Sequence, residues 1–329
     1  MIRRPLIHKH SDPGGSMQYL ISEEEAGTSL LHWIRETLHP SSKMLKYLKY
    51  KPDGICVNGE NRTVRYLLQT GDRVELSLTD DADASGIVPR DLPLKILYED
   101  DQLVVPSKPA GMPTHPSRDH ADDTVANALA FRYRTAGIPF VFRPVNRLDR
   151  NTSGLLLVAR NKLAAGRLTE QLQAGTFEKR YLAVLDGELR ESSGSICTCL
   201  HRTAKSIIVR ETCPPTEPDA EPAHTEFRVL ATVPGHTLVL ARPITGRTHQ
   251  LRVHFASVGH PITGDDLYGS PSPQINRQAL HALFLSFPHP IRGERISLTA
   301  PLPPDLRTLV EALFPQFPTE FQTGKELYL

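Results

Sequence analysis

The segment RPVNRLDRNTSGLLLVAR places one carboxylate, Asp149, between Arg147 and Arg150 and just before an apolar run. Arginines beside a carboxylate favour its ionised form, and they can also hold RNA phosphates around it. The Thr-Ser-Gly that follows would form a tight turn and fix this loop against the core. An aspartate flanked by arginines is most often part of a loop ion pair, and the local pattern alone favours that structural role.

A second segment, FEKRYLAVLDG, combines a cation with an aromatic ring. Lys179 and Tyr181 are two residues apart, so on a strand their side chains lie on the same face. A tyrosine near a carboxylate could stack on a nucleobase. A strand tyrosine packed in the core is the alternative, and the pattern by itself favours it.

A third segment, ARPITGRTHQLRVHFASVG, predicts a helix that Thr248 caps and that runs to Gly259. Its apolar residues recur at helical spacing and would face the core: Leu251, Phe255 and Val258. Arg252 lies on another face of this helix, so it is free to meet a carboxylate from elsewhere in the chain.

Other side chains could suggest a metal site or a pair of acids. Three histidines lie in or near the third segment: His249, His254 and His260. Zinc-binding helices usually space histidines about four residues apart, so these are predicted to be structural.

Cys197 and Cys199 form one tight pair, whereas a zinc site needs about four ligands; no metal is expected. Asp265 and Asp266 are adjacent, which predicts a role in a turn.

Composition and charge set limits on the whole chain. Its 329 residues, 39% hydrophobic and 23% charged, suit a globular protein of two domains. No apolar stretch approaches the roughly 20 residues that cross a bilayer, and no secretory signal is recognisable. A cytoplasmic protein is therefore expected. The net charge of +1 lacks the basic excess of many nucleic-acid-binding proteins, so any RNA surface must be local.

The first predicted domain covers residues 16–80. Pro40 divides an apolar, helix-periodic stretch into two short helices. Asn-Gly and Gly-Asp pairs then mark turns between short strands. This order of elements resembles the small alpha-L RNA-binding fold first known from a ribosomal protein.

The second of these helices carries a basic patch that could bind phosphates. Its lysines are three residues apart, a spacing that places them on one helix face: Lys43, Lys46 and Lys49. A merely solvated lysine face is the alternative.

The rest of the chain is predicted to be a linker, a larger domain and a tail. Residues 81–91 are acidic, small and proline-containing, as in a linker. Residues 92–315 show many strands and a few helices without regular βαβ alternation, which predicts an α+β domain on a mixed, mainly antiparallel sheet. Within it, GLLLVAR at residues 154–160 predicts one buried strand. Residues 316–329 are predicted to be a tail.

At the three segments the sequence resembles the RluA family of RNA pseudouridine synthases, and the resemblance covers nearly the whole chain. It implies the pseudouridine synthase fold and the isomerisation of uridine in structured RNA. By this resemblance Asp149 in NRLDRNTSG looks like the catalytic aspartate, Tyr181 in KRYLAV like the tyrosine that packs on the target ring, and Arg252 in GRTHQLRVH like the basic partner of the aspartate. Further cations would contact RNA: Arg147, Arg150 and Lys179.

Three positions depart from the family pattern. Asn146 stands where the family usually has His, Asn151 where it usually has Asp, and Ser107 where Asn often precedes Lys-Pro-Ala-Gly. None of them removes the aspartate, the tyrosine or the arginine. They concern the contacts to RNA around the loop, and therefore the choice of uridine.

The implied reaction moves the ribose from the ring nitrogen to carbon 5 of the same uracil. Nothing is oxidised, so no cofactor is expected, and the sequence has no Walker A or GxGxxG motif. Large-subunit ribosomal RNA is the first expected substrate and transfer RNA the second, for an enzyme expected to be a monomer. The alternatives are a non-catalytic RNA-binding or ribosome-assembly protein, which would not need Asp149, and a hydrolase acting on nucleosides.

Overall fold

Two β-sheets organise the chain, seen here in a computed structural model that describes residues 16–40, 42–78, 86–204, 206 and 208–317. Much of the predicted linker and tail, at residues 81–85 and 318–329, lies outside this range. The first sheet is antiparallel, in the order β1-β4-β2-β3, and its strands are β1 (Ser16–Leu20), β2 (Ile55–Val57), β3 (Glu60–Asn61) and β4 (Arg73–Ser77).

Two short helices pack against this sheet, α1 (Leu30–Leu38) and α2 (Ser42–Tyr50). Ser29 caps α1 by accepting a hydrogen bond from the backbone N–H of His32. The helix ends where His39 takes a left-handed conformation (φ 43°) directly before Pro40. The predicted break at Pro40 is confirmed. The apolar faces of both helices are buried: Leu30, Ile34, Leu38, Met44, Leu45 and Leu48.

The two predicted turns of the first sheet are joined by one carboxylate. Asn58 and Gly59 have φ of 54° and 80°, as a hairpin turn of the mirror-image type requires. The buried Asp72 accepts hydrogen bonds from the Asn58 side chain (2.8 Å), the Tyr66 hydroxyl (3.1 Å) and the Gln69 backbone N–H (2.8 Å). These bonds hold the pKa of Asp72 below its usual value despite burial, which by itself raises it.

The second sheet has twelve strands, in the order β12-β11-β13-β14-β10-β15-β8-β6-β9-β7, with β5 beside β6 and β16 beside β15. Its strands are β5 (Lys95–Glu99), β6 (Leu103–Lys108), β7 (Arg143–Pro144), β8 (Ser153–Leu155), β9 (Val158–Ala159), β10 (Glu178–Asp186), β11 (Ser193–Arg202), β12 (Arg210–Cys213), β13 (Glu221–Val233), β14 (His236–Pro243), β15 (Leu280–Pro288) and β16 (Arg295–Thr299). Its helices are α3 (Val125–Thr135), α4 (Lys162–Gln173), α5 (Gln250–Ser257) and α6 (Pro304–Leu313). Of the strand pairs described, β8 with β15 is parallel and the others are antiparallel. The predicted α+β class with a mainly antiparallel sheet is confirmed.

The prediction of one continuous strand at residues 154–160 is wrong. The segment forms β8 and β9, which both pair with β6 but are separated by Leu156 and Leu157. The reason lies in the partner strand, since Pro106 of β6 has no N–H to give to the ladder. Leu156 instead donates its N–H to the Pro106 carbonyl at 3.2 Å.

Helix α4 joins the first sheet to the second. Its Leu163 is buried in the apolar cluster of the first sheet, together with Ile291 from beyond β15. Arg167 donates to the carbonyl of Leu38, the last residue of α1, at 2.7 Å, and to the Pro290 carbonyl at 2.8 Å. The two parts are therefore in direct apolar and hydrogen-bonded contact. Among the described residues, no helix is long and apolar enough to cross a membrane.

Candidate active site

A cavity of about 360 Å³ opens between the loop before β8, strand β10 and the turn that leads into α5. Asp149, Tyr181 and Arg252 all line it. The three predicted catalytic residues lie far apart in the sequence, so the fold is what brings them to one wall. Other lining residues include His115, Asn146, Arg147, Lys179, Thr245 and His249.

The backbone on both sides of Asp149 is held by hydrogen bonds. The Thr152 N–H donates to the Asp149 carbonyl at 3.1 Å, and the Gly111 N–H donates to the Arg150 carbonyl at 3.0 Å. The Lys108 ammonium donates to the same Arg150 carbonyl at 2.8 Å. These bonds fix the backbone on both sides of the Asp149 carboxylate.

Lys108 is buried, with only 1% of its surface exposed. Besides Arg150, its ammonium donates to the carbonyls of Pro109 (3.0 Å) and Met112 (2.7 Å). Burial lowers its pKa to about 7, while the negative charge of Asp149 opposes that shift. The role of this residue as a clamp on the aspartate loop was missed in the sequence, although a lysine at the end of the apolar stretch LVVPSK is the signal that could have indicated it.

Gly154 allows the aspartate loop to lie against β15. Its φ is 114°, and a Cβ atom there would lie 2.2 Å from the carbonyl oxygen of Ala282. Only glycine fits this conformation and this approach. The Thr-Ser-Gly motif thus fixes the loop against the sheet, as the sequence predicts.

Arg252 is bound to Asp265 and faces Asp149. Its Nε and one terminal nitrogen each lie 2.7 Å from an Asp265 oxygen, a bidentate pair, while its Nη1 lies 3.5 Å from Asp149 Oδ2. The turn role predicted for Asp265 is present, since it also accepts from the N–H groups of Leu267 and Tyr268. The interpretation was incomplete, because this fully buried carboxylate also holds Arg252, whereas its neighbour Asp266 is exposed.

The Asp149 carboxylate is partly accessible from the cavity, with 22% of its side chain exposed. Tyr181 is half-buried on strand β10, which β15 separates from β8 in the sheet. Burial, and then the charge of Asp149, raise the pKa of Tyr181 well above its usual value. The phenol is therefore protonated at neutral pH, so the cavity offers a carboxylate, a guanidinium and an uncharged aromatic ring.

The predicted RNA-binding cations divide into three groups. Arg147 and Lys179 line the cavity, and burial lowers the pKa of Lys179. Arg150 is exposed, and its Nη1 lies 3.1 Å from Nε2 of His120. Lys46 and Lys49 are exposed on α2, while the Lys43 side chain lies outside the described residues.

The three histidines of the third segment do not share one role. His254 lies between the hydroxyls of Thr198 (3.3 Å) and Thr225 (3.0 Å), and His260 binds the Asp186 carbonyl at 3.0 Å, so both are structural as predicted. His249 instead lines the cavity. Thr248 does not cap α5 as predicted, since the N-cap is His249 and no side-chain bond caps the helix. Within the described part of the chain, no group of three or more His, Cys, Asp or Glu side chains could hold a metal ion.

Asn146, one of the departures from the family pattern, fastens the aspartate loop to the sheet. Its side-chain oxygen accepts the Leu157 N–H at 2.7 Å, and its amide nitrogen lies 3.4 Å from the Leu155 carbonyl. Leu157 is one of the two residues that separate β8 from β9. Asn146 therefore satisfies a buried N–H that the strand ladder leaves without a partner.

We expect Asn146→Ala to lower the free energy of unfolding by about 1–3 kcal/mol, because the buried N–H of Leu157 would lose its acceptor. Chemical denaturation measures this change. Asn151→Ala is the matched control, since the Asn151 side chain makes no hydrogen bond to another described residue. The stability of this variant should change by less than about 0.5 kcal/mol. Equal stability of the two variants would contradict the role given to Asn146.

The chain is similar in sequence and in structure to RNA pseudouridine synthases. The sequence profile of the family described as RNA pseudouridylate synthase matches residues 102–257. This range includes Asp149, Tyr181 and Arg252. An uncharacterized RNA pseudouridine synthase of Bacillus subtilis is 37% identical over 92% of this chain and 98% of its own length. Ribosomal large subunit pseudouridine synthase D of Xanthomonas campestris is 38% identical over 80% of this chain and 82% of its own. The structure of human RNA pseudouridylate synthase domain containing 1 matches with a TM-score of 0.54 and 31% identity, over 64% of this chain and 84% of that one.

Proposed function

The chain belongs to the RluA family of RNA pseudouridine synthases, and from this we propose that Asp149 is the essential carboxylate with which it isomerises uridine in large-subunit ribosomal RNA. The enzyme class, an isomerase that modifies RNA, follows from the family itself. The assignment of Asp149 rests on one observation. Of the carboxylates in the described chain, it is the one that lines the 360 Å³ cavity, and it does so beside Arg252 and Tyr181.

The cavity geometry suits the chemistry of the family. A uridine must leave its stack to reach an enclosed carboxylate, and the cavity has the size of a small-molecule site. Asp149 could attack the sugar, attack the ring, or take a proton from the sugar. In each case Arg252, fixed by Asp265, holds the carboxylate in place. Tyr181 would pack on the uracil while it turns and could assist the last proton transfer.

Lys179 and Arg147, two of the cations that line the cavity, would hold the RNA strand there. Lys179 is partly buried at the wall and has no ion-pair or hydrogen-bond partner among the described residues. A lysine desolvated in this way gains a partner when a phosphate arrives. Arg147 is exposed and lies on the same loop as Asp149. Both cations would therefore fix the position of the target nucleotide relative to the cavity.

Two observations support large-subunit ribosomal RNA as the substrate: the name of a relative and a second surface that carries basic residues. One relative is named as a synthase of the ribosomal large subunit. At the end of α2, Lys49 and Tyr50 line an open groove of about 460 Å³ together with Arg62, which follows β3, and Tyr50 is 77% exposed. An exposed aromatic ring and cations in one groove are suited to a nucleobase and its phosphates. Ribosomal RNA as the substrate would also place this enzyme in the cytoplasm.

The double variant Lys46→Ala/Lys49→Ala tests the exposed lysine face of α2, of which Lys49 also lines this groove. If both lysines contact phosphates, RNA affinity should fall and the slope of log affinity against log salt should become less steep by about 1 for each lysine. The rate at saturating enzyme should not change, because neither lysine lines the active-site cavity. Titration of labelled ribosomal RNA at several salt concentrations measures both quantities. Lys95→Ala, at an exposed lysine on β5, is the control. If the double variant has the same RNA affinity and salt dependence as this control, the lysines of α2 do not bind the RNA.

Mapping of pseudouridine across total RNA, from cells with and without the protein, tests the substrate. Loss of modification at a uridine of large-subunit ribosomal RNA is the expected result. Loss in transfer RNA alone would replace the proposed substrate. No loss anywhere would favour the non-catalytic RNA-binding alternative.

A further inference from the structure

His249 is held in the cavity wall beside Asp149. Its Nε2 lies 3.9 Å from Asp149 Oδ2, and 11% of its side chain is exposed. Its backbone is left-handed (φ 58°), which is uncommon for a residue other than glycine and is found at functional sites. The turn before it is locked by Gln250, whose side-chain oxygen accepts from the Arg247 N–H (3.0 Å) and the Thr245 hydroxyl (2.7 Å).

A chain of hydrogen bonds favours one of the two neutral forms of the His249 ring. The backbone N–H of Arg210 donates to the Tyr268 hydroxyl at 2.9 Å. That hydroxyl has one proton to give, and its other partner is His249 Nδ1 at 2.8 Å. With Nδ1 accepting this proton, a neutral His249 carries its own hydrogen on Nε2. The Nε2–H group therefore points to the side of the ring where Asp149 and the cavity lie.

The ring is neutral as well as oriented. Burial lowers the pKa of His249; the carboxylates of Asp149 and Asp265 oppose this shift, and the guanidinium groups of Arg252 and Arg210 add to it. Burial also raises the pKa of Tyr268, so its hydroxyl keeps the proton that it donates. The Nε2–H group is thus an uncharged donor next to the carboxylate, and Arg252 is a positive charge beside the same carboxylate.

We propose that His249 is a catalytic residue whose Nε2–H donates a hydrogen bond to the uracil oxygen next to the bond being broken. This inference rests on the proposed function. When the bond between ribose C1′ and uracil N1 breaks, its electron pair stays on the uracil and spreads onto the neighbouring oxygen O2. A fixed donor aimed at an oxygen that gains charge lowers the barrier. Arg252 is a poor candidate for this contact, because two of its nitrogens are bound to Asp265.

The same donor can serve both halves of the isomerisation. A half-turn of uracil about the line from N3 to C6 exchanges N1 with C5 and O2 with O4. The oxygen O4 then occupies the place that O2 has left. An uncharged donor can bind either oxygen without giving up its proton, so one group on the enzyme guides the ring before and after it turns.

Two variants of His249 test the proposal with ribosomal RNA extracted from cells that lack the protein. With enzyme in excess, the maximal rate of pseudouridine formation and the half-saturating enzyme concentration are measured separately. His249→Ala should lower the maximal rate by about 10²–10³-fold, as the loss of one such donor does elsewhere, without changing half-saturation. His249→Gln keeps an N–H donor of similar reach and should recover at least about tenfold of that loss.

Tyr268→Phe provides a second measurement, since it removes the proton that sets the His249 tautomer. It should slow the wild-type enzyme but cause no further loss in His249→Ala, because both changes act through one donor. A wild-type maximal rate in His249→Ala overturns the proposal, as does a Gln variant as slow as the Ala variant. If Asp149→Asn is inactive while His249→Ala is fully active, only the His249 inference fails. If Asp149→Asn is active, the proposed function fails as well.

Discussion

Asp149→Asn is expected to lower the rate of pseudouridine formation by at least about 10⁴-fold, in the range seen when an essential group of a catalytic set is removed. The amide has nearly the shape of the carboxylate but can neither attack carbon nor accept a proton from the sugar. RNA affinity should hardly change, because the cations proposed to bind RNA remain. The rate is measured with enzyme in excess over ribosomal RNA, and the affinity by titration of the same RNA.

The control for this change is Asp266→Asn. Asp266 is exposed and adjacent to the buried Asp265, so its substitution changes the net charge equally without touching the cavity. It should keep the wild-type rate. If Asp149→Asn is as active as this control, Asp149 has no part in the mechanism. If RNA affinity falls by the same factor as the rate, Asp149 acts in RNA binding instead.

Asp265→Asn is expected to have the largest effect on stability. The Asp265 side chain is fully buried and accepts two 2.7 Å hydrogen bonds from Arg252, itself 7% exposed. Removing the charge leaves a buried guanidinium without its bidentate partner, which should lower the free energy of unfolding by about 3–5 kcal/mol. Chemical denaturation compared with Asp266→Asn measures the difference.

The same change should reduce activity, because Arg252 would lose the partner that aims it at Asp149. A displacement of about 1 Å in a positioning group can slow catalysis by about 10²-fold. The rate must be measured at a temperature where the variant is still folded, which its near-ultraviolet circular dichroism establishes. Wild-type stability and rate in Asp265→Asn would show that the pair is dispensable and that Arg252 is positioned by other contacts.

The sequence predicts the local features of this protein well, because they depend on neighbouring residues. Pro40 ends a helix whatever lies around it, and the Asn58-Gly59 pair adopts the one turn that suits two left-handed residues. Local patterns alone favoured structural roles for Asp149 and Tyr181. Ordered family motifs indicated the catalytic roles, and the structure brings both residues to the same cavity.

The contacts that the sequence did not reveal depend on how distant segments meet. Asp265 and Arg252 are 13 residues apart, and only the packing of α5 against the following turn makes them a pair. The break between β8 and β9 is caused by Pro106 on a different strand. His249 differs from His254 because Tyr268 and Arg210 approach it in space. None of these arrangements leaves a periodic pattern along the chain.

Complementation with site-resolved pseudouridine mapping tests the central claim most directly. Cells that lack the protein would receive the wild-type enzyme, Asp149→Asn or Asp266→Asn at equal levels. We predict that wild type and Asp266→Asn restore pseudouridine at the same uridine of large-subunit ribosomal RNA and that Asp149→Asn restores none. Restoration by Asp149→Asn would contradict the assignment of Asp149 as the essential carboxylate.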